Sequence, residues 1–337
     1  MAAADSSRRS AWYRRRLAIR PPTRGEVKPA ADREAALAQL AELKSLDEGL
    51  PELTRTRLLE PEQPTGVTIV VWHGFTNAPS QLVAVGEQLQ AAGYRVLLPR
   101  LPHHGLPDLL NRDLAKLTET QLVAHADACI DVAAGLGDVV WVVGLSAGGT
   151  MAAWAAATRP EVSRLVMMAP LVGPKGFPMP VVRLLVRYPR MVPQKFYMWW
   201  DPRVKAELSE TQSPYAYPGF PLPGVMPFLH LSEALFDGSV TVGHQLERVV
   251  LVTNPNDLAV RADAAQAFAA GVFESRADYF GLARIDKALN WTHDFVDPWS
   301  FAGGSAEQVA AVVAASLGMA EPTAGEVLVP PLVTEQP

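Results

Sequence analysis

The chain has 337 residues, 49% hydrophobic and 19% charged, a balance that supplies a sizeable core and excludes disorder throughout. Its formal net charge of -5 gives no reason to expect a nucleic-acid partner, and its single cysteine, Cys129, excludes an intrachain disulfide, a cysteine-based metal site and a CxxC redox pair. No apolar run approaches the roughly 20 residues that span a bilayer, so no stable membrane insertion is expected.

The opening residues, MAAADSSRRSAWYRRRLAIRPP, are rich in arginine and lack the apolar centre of a secretory signal, so they read as a basic arm or surface patch. With the missing disulfides, this makes the cytoplasm the expected location. Residues 31–47 carry apolar side chains at helical spacing (Ala36, Leu40, Leu43, Leu46), and residues 1–64 together are expected to precede the core as an arm and a helix. The run GVTIVVW then has no polar alternate face, as suits a strand buried on both sides of a parallel sheet. A helix is predicted over 80–92, with Gly93 at its C-terminal cap, followed by the strand YRVLLPR and the loop LPHHGLPDLLN. Thr118 and Gln121 form a potential capping box for a helix running to about Ala134, on which Cys129 reads as a buried, inert thiol.

DVVWVVG is the third strand, 148–158 the helix after it, and VSRLVMMAP the fourth strand. Strands alternating with helices imply an α/β chain with a mostly parallel central sheet flanked by helices. From 171 to 244 the chain turns to proline, aromatic residues and methionine without a strand-helix repeat, and this stretch is expected to be an insertion over one edge of the core. Alternation resumes with ERVVLVTNPND, a helix near 260–271, a strand near ADYFGLARID and a final helix over 305–317. The core is therefore placed at 65–170 and 245–318, and residues 319–337, rich in proline, are expected to be a flexible tail.

Between the third strand and its helix stands Gly144-Leu145-Ser146-Ala147-Gly148, a G-x-S-x-G pattern in the strand-turn-helix setting that gives it chemical meaning. Glycines two positions either side let the backbone turn sharply, holding the serine hydroxyl out over the sheet. At a helix N-terminus, the Ala147 N–H is also placed to meet an anion formed on an attacked carbonyl. An unassisted serine is a weak nucleophile, so a base and an orienting acid are required. Among the seven histidines, His293 in NWTHDF follows the last strand and stands where a loop reaches back over the strand ends. His125 falls in a helix and reads as structural, His230 and His244 belong to the insertion, and His73 precedes the turn after the first core strand. For the acid, Asp257 follows directly on a strand, whereas Asp201, Asp294 and Asp297 read equally well as surface charges. A second oxyanion donor is expected from the Phe75 N–H in HGFTN, with Gly74 permitting the tight turn.

HGFTN (73–77), GYRVLLPRLPHHG (93–105), GLSAGG (144–149), NPND (254–257) and THDF (292–295) together resemble the α/β-hydrolase superfamily, specifically its bacterial carboxylesterase and monoacylglycerol-lipase-like branch. The resemblance covers about residues 65–317. It implies an α/β-hydrolase fold in which Ser146 is nucleophile, His293 base, Asp257 its partner, Phe75 and Ala147 the oxyanion donors, and 171–244 the lid. In three respects this chain departs from the pattern. The family's Gly-His-Gly loop is His103-His104-Gly105, Leu145 stands where many members have His or Phe, and the 36-residue interval from Asp257 to His293 is slightly long.

The implied reaction is two-step acyl transfer to water, with a small-molecule ester or lipid as substrate, and it needs neither a metal nor an organic cofactor. Met198, Trp199 and Leu145 are the expected substrate-lining residues, although the aromatic and methionine side chains of FYMWW serve equally well to pack a lid on the core. Short or medium acyl esters, or monoacylglycerols, are the preferred class. An amidase or aminopeptidase, an acyltransferase and a non-catalytic binding member of the fold are the rival readings; oligomeric state is not legible.

Overall fold

The computed structural model describes residues 19–199, 213–300, 303–319 and 328–329, and it assembles the apolar runs into one eight-stranded sheet. In chain order the elements are α1 (Arg33–Ser45), β1 (Arg57–Leu59), β2 (Val67–Trp72), α2 (Val83–Ala91), β3 (Arg95–Leu98), α3 (Glu119–Leu136), β4 (Val139–Leu145) and α4 (Ala147–Thr158). Then come β5 (Val162–Met168), α5 (Met179–Arg187), β6 (Tyr197–Trp199), β7 (Gly219–Pro221) and α6 (Met226–Phe236). The chain returns to the sheet with β8 (Leu246–Thr253), α7 (Ala262–Phe273), β9 (Ala277–Ile285), α8 (Ala306–Leu317) and β10 (Leu328–Val329).

The sheet order is β1-β3-β2-β4-β5-β8-β9-β10. The inner pairs are all parallel, and only β1 on β3 and β10 on β9 run antiparallel. β4 explains the pattern: Val140, Val142, Val143 and Leu145 are all buried, on both faces, as a strand covered by helices on either side requires. α4 is hydrophobic all round because it too is enclosed, and its alanines 152, 153, 155, 156 and 157 let it pack closely on β4, β5 and α3. The predicted capping box opens α3, with Gln121 N donating to Thr118 Oγ1 and Thr118 N to Gln121 Oε1, and a second, at Ser305 and Gln308, opens α8.

Four expectations are corrected. The helix predicted from residue 80 is a 3-10 turn at Pro79–Gln81 and starts as α2 only at Val83. The N-terminal region is not all arm: Arg24 pairs with Asp127 at 2.6 Å, and Lys28 N donates to Asp131 Oδ2, so the stretch before α1 is strapped to α3. Asp127 and Asp131 are already held by the buried guanidinium of Arg159. Residues 57–59 form β1, a strand of the sheet that precedes the expected core boundary. The expected tail likewise contributes a strand, β10, whose backbone pairs Leu328 with Ile285 and Val329 with Arg284.

Candidate active site

β4 ends at Leu145 and α4 begins at Ala147, leaving Ser146 alone at the corner with φ 55° and ψ -117°, a conformation that side-chain-bearing residues rarely adopt. Backbone bonds hold it there: Ser146 N donates to Met168 O at 2.9 Å, and its carbonyl accepts from Leu171 N at 3.0 Å and from Thr150 N at 3.1 Å. The flanking glycines are required by close approach. A Cβ on Gly144 would stand 2.1 Å from the Gly148 carbonyl oxygen, and one on Gly148 would stand 2.1 Å from the Trp72 carbonyl oxygen.

His293 follows β9 and Asp257 follows β8, neighbouring parallel strands that deliver their loops to one rim of the sheet. The buried His293 donates from Nδ1 to Asp257 Oδ2 at 2.7 Å. Asp257 Oδ1 in turn accepts the N–H groups of Ala259 (2.7 Å) and Val260 (2.9 Å). Burial pushes the Asp257 carboxyl up, but the charge and hydrogen bond of His293 and these two amides outweigh it, so it lies below its usual value. For His293, burial disfavours the imidazolium, yet the Asp257 carboxylate overcomes this and raises its pKa. The long interval between acid and base is bridged by Asn254, whose amide donates to the carbonyls of both Trp291 (2.9 Å) and Thr292 (2.8 Å).

The HGFTN turn lies against the elbow: a Cβ on Gly74 would stand 3.8 Å from Ser146 Cβ. His73 organises the turn, donating from Nδ1 to Gly74 O at 2.9 Å and accepting Leu101 N at Nε2 at 3.1 Å. Burial lowers its pKa to about 3, so the ring stays neutral and the tautomer that satisfies both bonds persists. Phe75 is buried, with its ring edge-to-face on Phe220, Phe228 and His104. Where the family has its first glycine, His103 takes φ 64° itself, with Gly105 at φ 75°. The loop thus keeps its path at the cost of backbone strain.

Sequence reasoning missed Gln81. It is fully buried; its side-chain oxygen accepts Gly74 N at 2.7 Å and its amide donates to Asp294 Oδ1 at 3.2 Å, tying the HGFTN turn to the loop of His293. Asp294 and Asp297 are consequently not surface charges. Burial raises the Asp294 pKa to about 6, against the pull of His293, and Asp297 is buried and accepts the Tyr215 hydroxyl at 3.0 Å. Asp201 lies outside the described residues. His125 accepts Trp72 Nε1 at 3.3 Å inside the core, and the Cys129 thiol is buried, with its pKa pushed well up by that burial.

Ser146, Phe75 and His293 open on a shared cavity of about 300 Å³. Its walls come largely from the segment between β5 and β8: Leu185 of α5, Met198 of β6, Phe220 of β7 and Leu229 of α6. Met198 is thus on the wall. Leu145 is not: it is the last residue of β4, fully buried in the core, and the side chain at the corner belongs to the next residue. The Trp199 side chain lies outside what the structure describes. No group of three or more His, Cys, Asp or Glu side chains is arranged to hold a metal among the described residues.

A family model for the alpha/beta hydrolase family matches residues 69–298, well over half of the chain. The chain belongs to the alpha/beta hydrolase family. A thermostable monoacylglycerol lipase of Bacillus sp. (strain H-257) is 33% identical over 103 residues, which span 31% of this chain and 39% of that relative. In overall shape the chain is similar to a metagenome-derived lipolytic enzyme from the study of LipS and LipT (TM-score 0.55, 19% identity, 80% of this chain and 98% of the other). It is similar also to a monoacylglycerol lipase of Paleococcus ferrophilus (TM-score 0.51, 16% identity, 68% of this chain and 88% of the other).

Proposed function

We propose that this protein hydrolyses carboxylic esters through an acyl-enzyme on Ser146. The observation that carries the reading is the shared cavity: a serine at a strained elbow and a histidine hydrogen-bonded to a buried carboxylate line the same apolar space. Ser146 Oγ attacks the ester carbonyl carbon while neutral His293 takes its proton at Nε2, and Asp257 stabilises the imidazolium. The carbonyl oxygen's charge falls to the Phe75 and Ala147 N–H groups. As the tetrahedral intermediate collapses, His293 returns the proton to the leaving oxygen and the alcohol departs. Water then gives a proton to His293 as it attacks the acyl carbon, and when the second tetrahedral intermediate collapses His293 returns that proton to Ser146 Oγ and the acid departs.

On this reading residues 171–244 act as a lid that shapes the acyl pocket. A cavity of about 300 Å³ stands at the small end of ligand sites, which favours short or medium acyl chains, monoacylglycerols among them. The partial likeness to a monoacylglycerol lipase supports the same class. The test is a chain-length panel of p-nitrophenyl esters, a monoacylglycerol and a matched anilide, on wild type and Ser146→Ala. Turnover confined to esters, peaking below long chains and lost in the variant, is expected; anilide turnover equal to ester turnover, or activity surviving the substitution, would overturn it.

A further inference from the structure

The proposed acyl transfer uses Ser146 and His293 on the cavity wall and leaves one charged side chain there without a role. Lys175 lines the same cavity, and among the described residues no Asp or Glu does. A lysine on a protein surface is ordinary. This one is held in place beside the reacting groups.

Residues 173–175, between β5 and α5, run antiparallel to residues 259–261 of the loop that carries Asp257. Lys175 N donates to Ala259 O and Arg261 N to Gly173 O, both at 2.8 Å, and Pro174 pairs with Val260 between them. A Cβ on Gly173 would stand 2.6 Å from Ala264 Cβ, so this short ladder packs closely on α7. From it the Lys175 ammonium donates to the main-chain carbonyl of Asp257. Asp257 in turn holds His293, so a single residue separates the ammonium from the imidazole. A carbonyl is a neutral acceptor: it engages one of the three ammonium protons and leaves the positive charge uncancelled.

Lys175 and Leu258, the latter 82% exposed, are solvent-exposed members of the lining, so the cavity opens beside them. Farther in, Val182, Leu185 and Leu229 make the wall apolar. A ligand matched to this lining carries a carbonyl for Ser146, a short apolar stretch and one negative charge. We propose that the cavity takes monoesters of short dicarboxylic acids and that Lys175 binds their free carboxylate. The inference rests on the reading of Ser146 as the nucleophile toward esters, and it adds a charge to the substrate class. A phosphate is the poorer match, because its several oxygens are met by arginine forks or by a run of backbone N–H groups, whereas a single ammonium suits a carboxylate.

The test compares monoethyl adipate with ethyl hexanoate, esters of equal chain length that differ in a terminal carboxylate, on wild type, Lys175→Met and Lys175→Arg, with circular dichroism as the check on folding. Lys175→Met removes the charge and the tether to Asp257 together, so both esters are expected to slow, and the ratio between them isolates the charge. The kcat/KM ratio of monoethyl adipate to ethyl hexanoate should fall about tenfold in Lys175→Met, through KM rather than kcat, and stay within about threefold of wild type in Lys175→Arg. Added salt should lower the ratio in wild type and leave it in place in Lys175→Met. Calorimetric binding of monoethyl adipate to Ser146→Ala, with and without Lys175→Met, needs no turnover and should show the same loss of about tenfold. If neither ester is turned over while that binding difference persists, the acyl-transfer reading fails and the carboxylate subsite stands. A ratio and an affinity that Lys175→Met leaves unchanged, or monoethyl adipate neither bound nor turned over beside active ethyl hexanoate, would overturn the subsite and leave acyl transfer intact.

Discussion

At the rim of the sheet Asp257 accepts three hydrogen bonds, from His293, Ala259 and Val260, and Gln81 and Asn254 each join two loops. The segment between β5 and β8 meets the same cavity with Leu185, Met198, Phe220 and Leu229. One side is a set of directional side-chain bonds with fixed geometry, and the other presents a mostly apolar lining to the cavity. The difference separates two kinds of control. Changes at the rim should abolish or cripple the reaction for every substrate, and changes in the wall should redistribute activity among substrates.

The largest effect is expected at the rim. Ser146→Ala and His293→Ala should each lower kcat by about 10⁵- to 10⁶-fold, and the double variant should cost hardly more than either alone, as groups acting as a unit do. Independent, multiplying losses in single-turnover assays would break the comparison. Asp257→Asn should cost about 10⁴-fold and also move the pH profile. On the proposed mechanism His293 must be neutral to take the proton, and Asp257 raises its pKa above the ordinary value of about 6.5, so kcat/KM should rise with pH through a midpoint above 6.5. In Asp257→Asn that limb should move to lower pH; a limb that stays in place would show that another group sets it.

A smaller effect, about 10²-fold in kcat with little change in KM, is expected from Gln81→Leu, which leaves Gly74 N and Asp294 without their partner and loosens the Phe75 amide. Affinity for a trifluoromethyl ketone, which mimics the oxyanion, should fall in parallel, and unchanged affinity would make Gln81 merely structural. The smallest effect belongs to the wall. Met198→Ala should leave the best kcat/KM within about tenfold of wild type while shifting the optimum toward longer acyl chains, by roughly tenfold in relative preference. A uniform loss across chain lengths would contradict a specificity role for that side.

The same contrast governs what can be read from the chain alone. The inner strands are legible because parallel strands buried on both faces are continuous apolar runs, and Ser146 because the elbow demands glycine at 144 and 148. Gln81 was not, since its partner Asp294 is 213 positions away and nothing local marks a buried glutamine. β1 and β10 escaped because strands of three and two residues at antiparallel edges carry too short a pattern to show a period. Asp297 was misjudged for a related reason, because only the tertiary fold brings Tyr215 to it. Leu145 was assigned to the pocket by analogy of position, whereas strand geometry sends it into the core.

The most direct measurement is covalent labelling with a p-nitrophenyl alkylphosphonate, read by intact-mass and peptide mass spectrometry. One adduct per chain, mapped to Ser146, with labelling slowed at least about a thousandfold in His293→Ala, is the expected result. An adduct on any other residue, or labelling at the wild-type rate without the imidazole, would contradict Ser146 as the nucleophile.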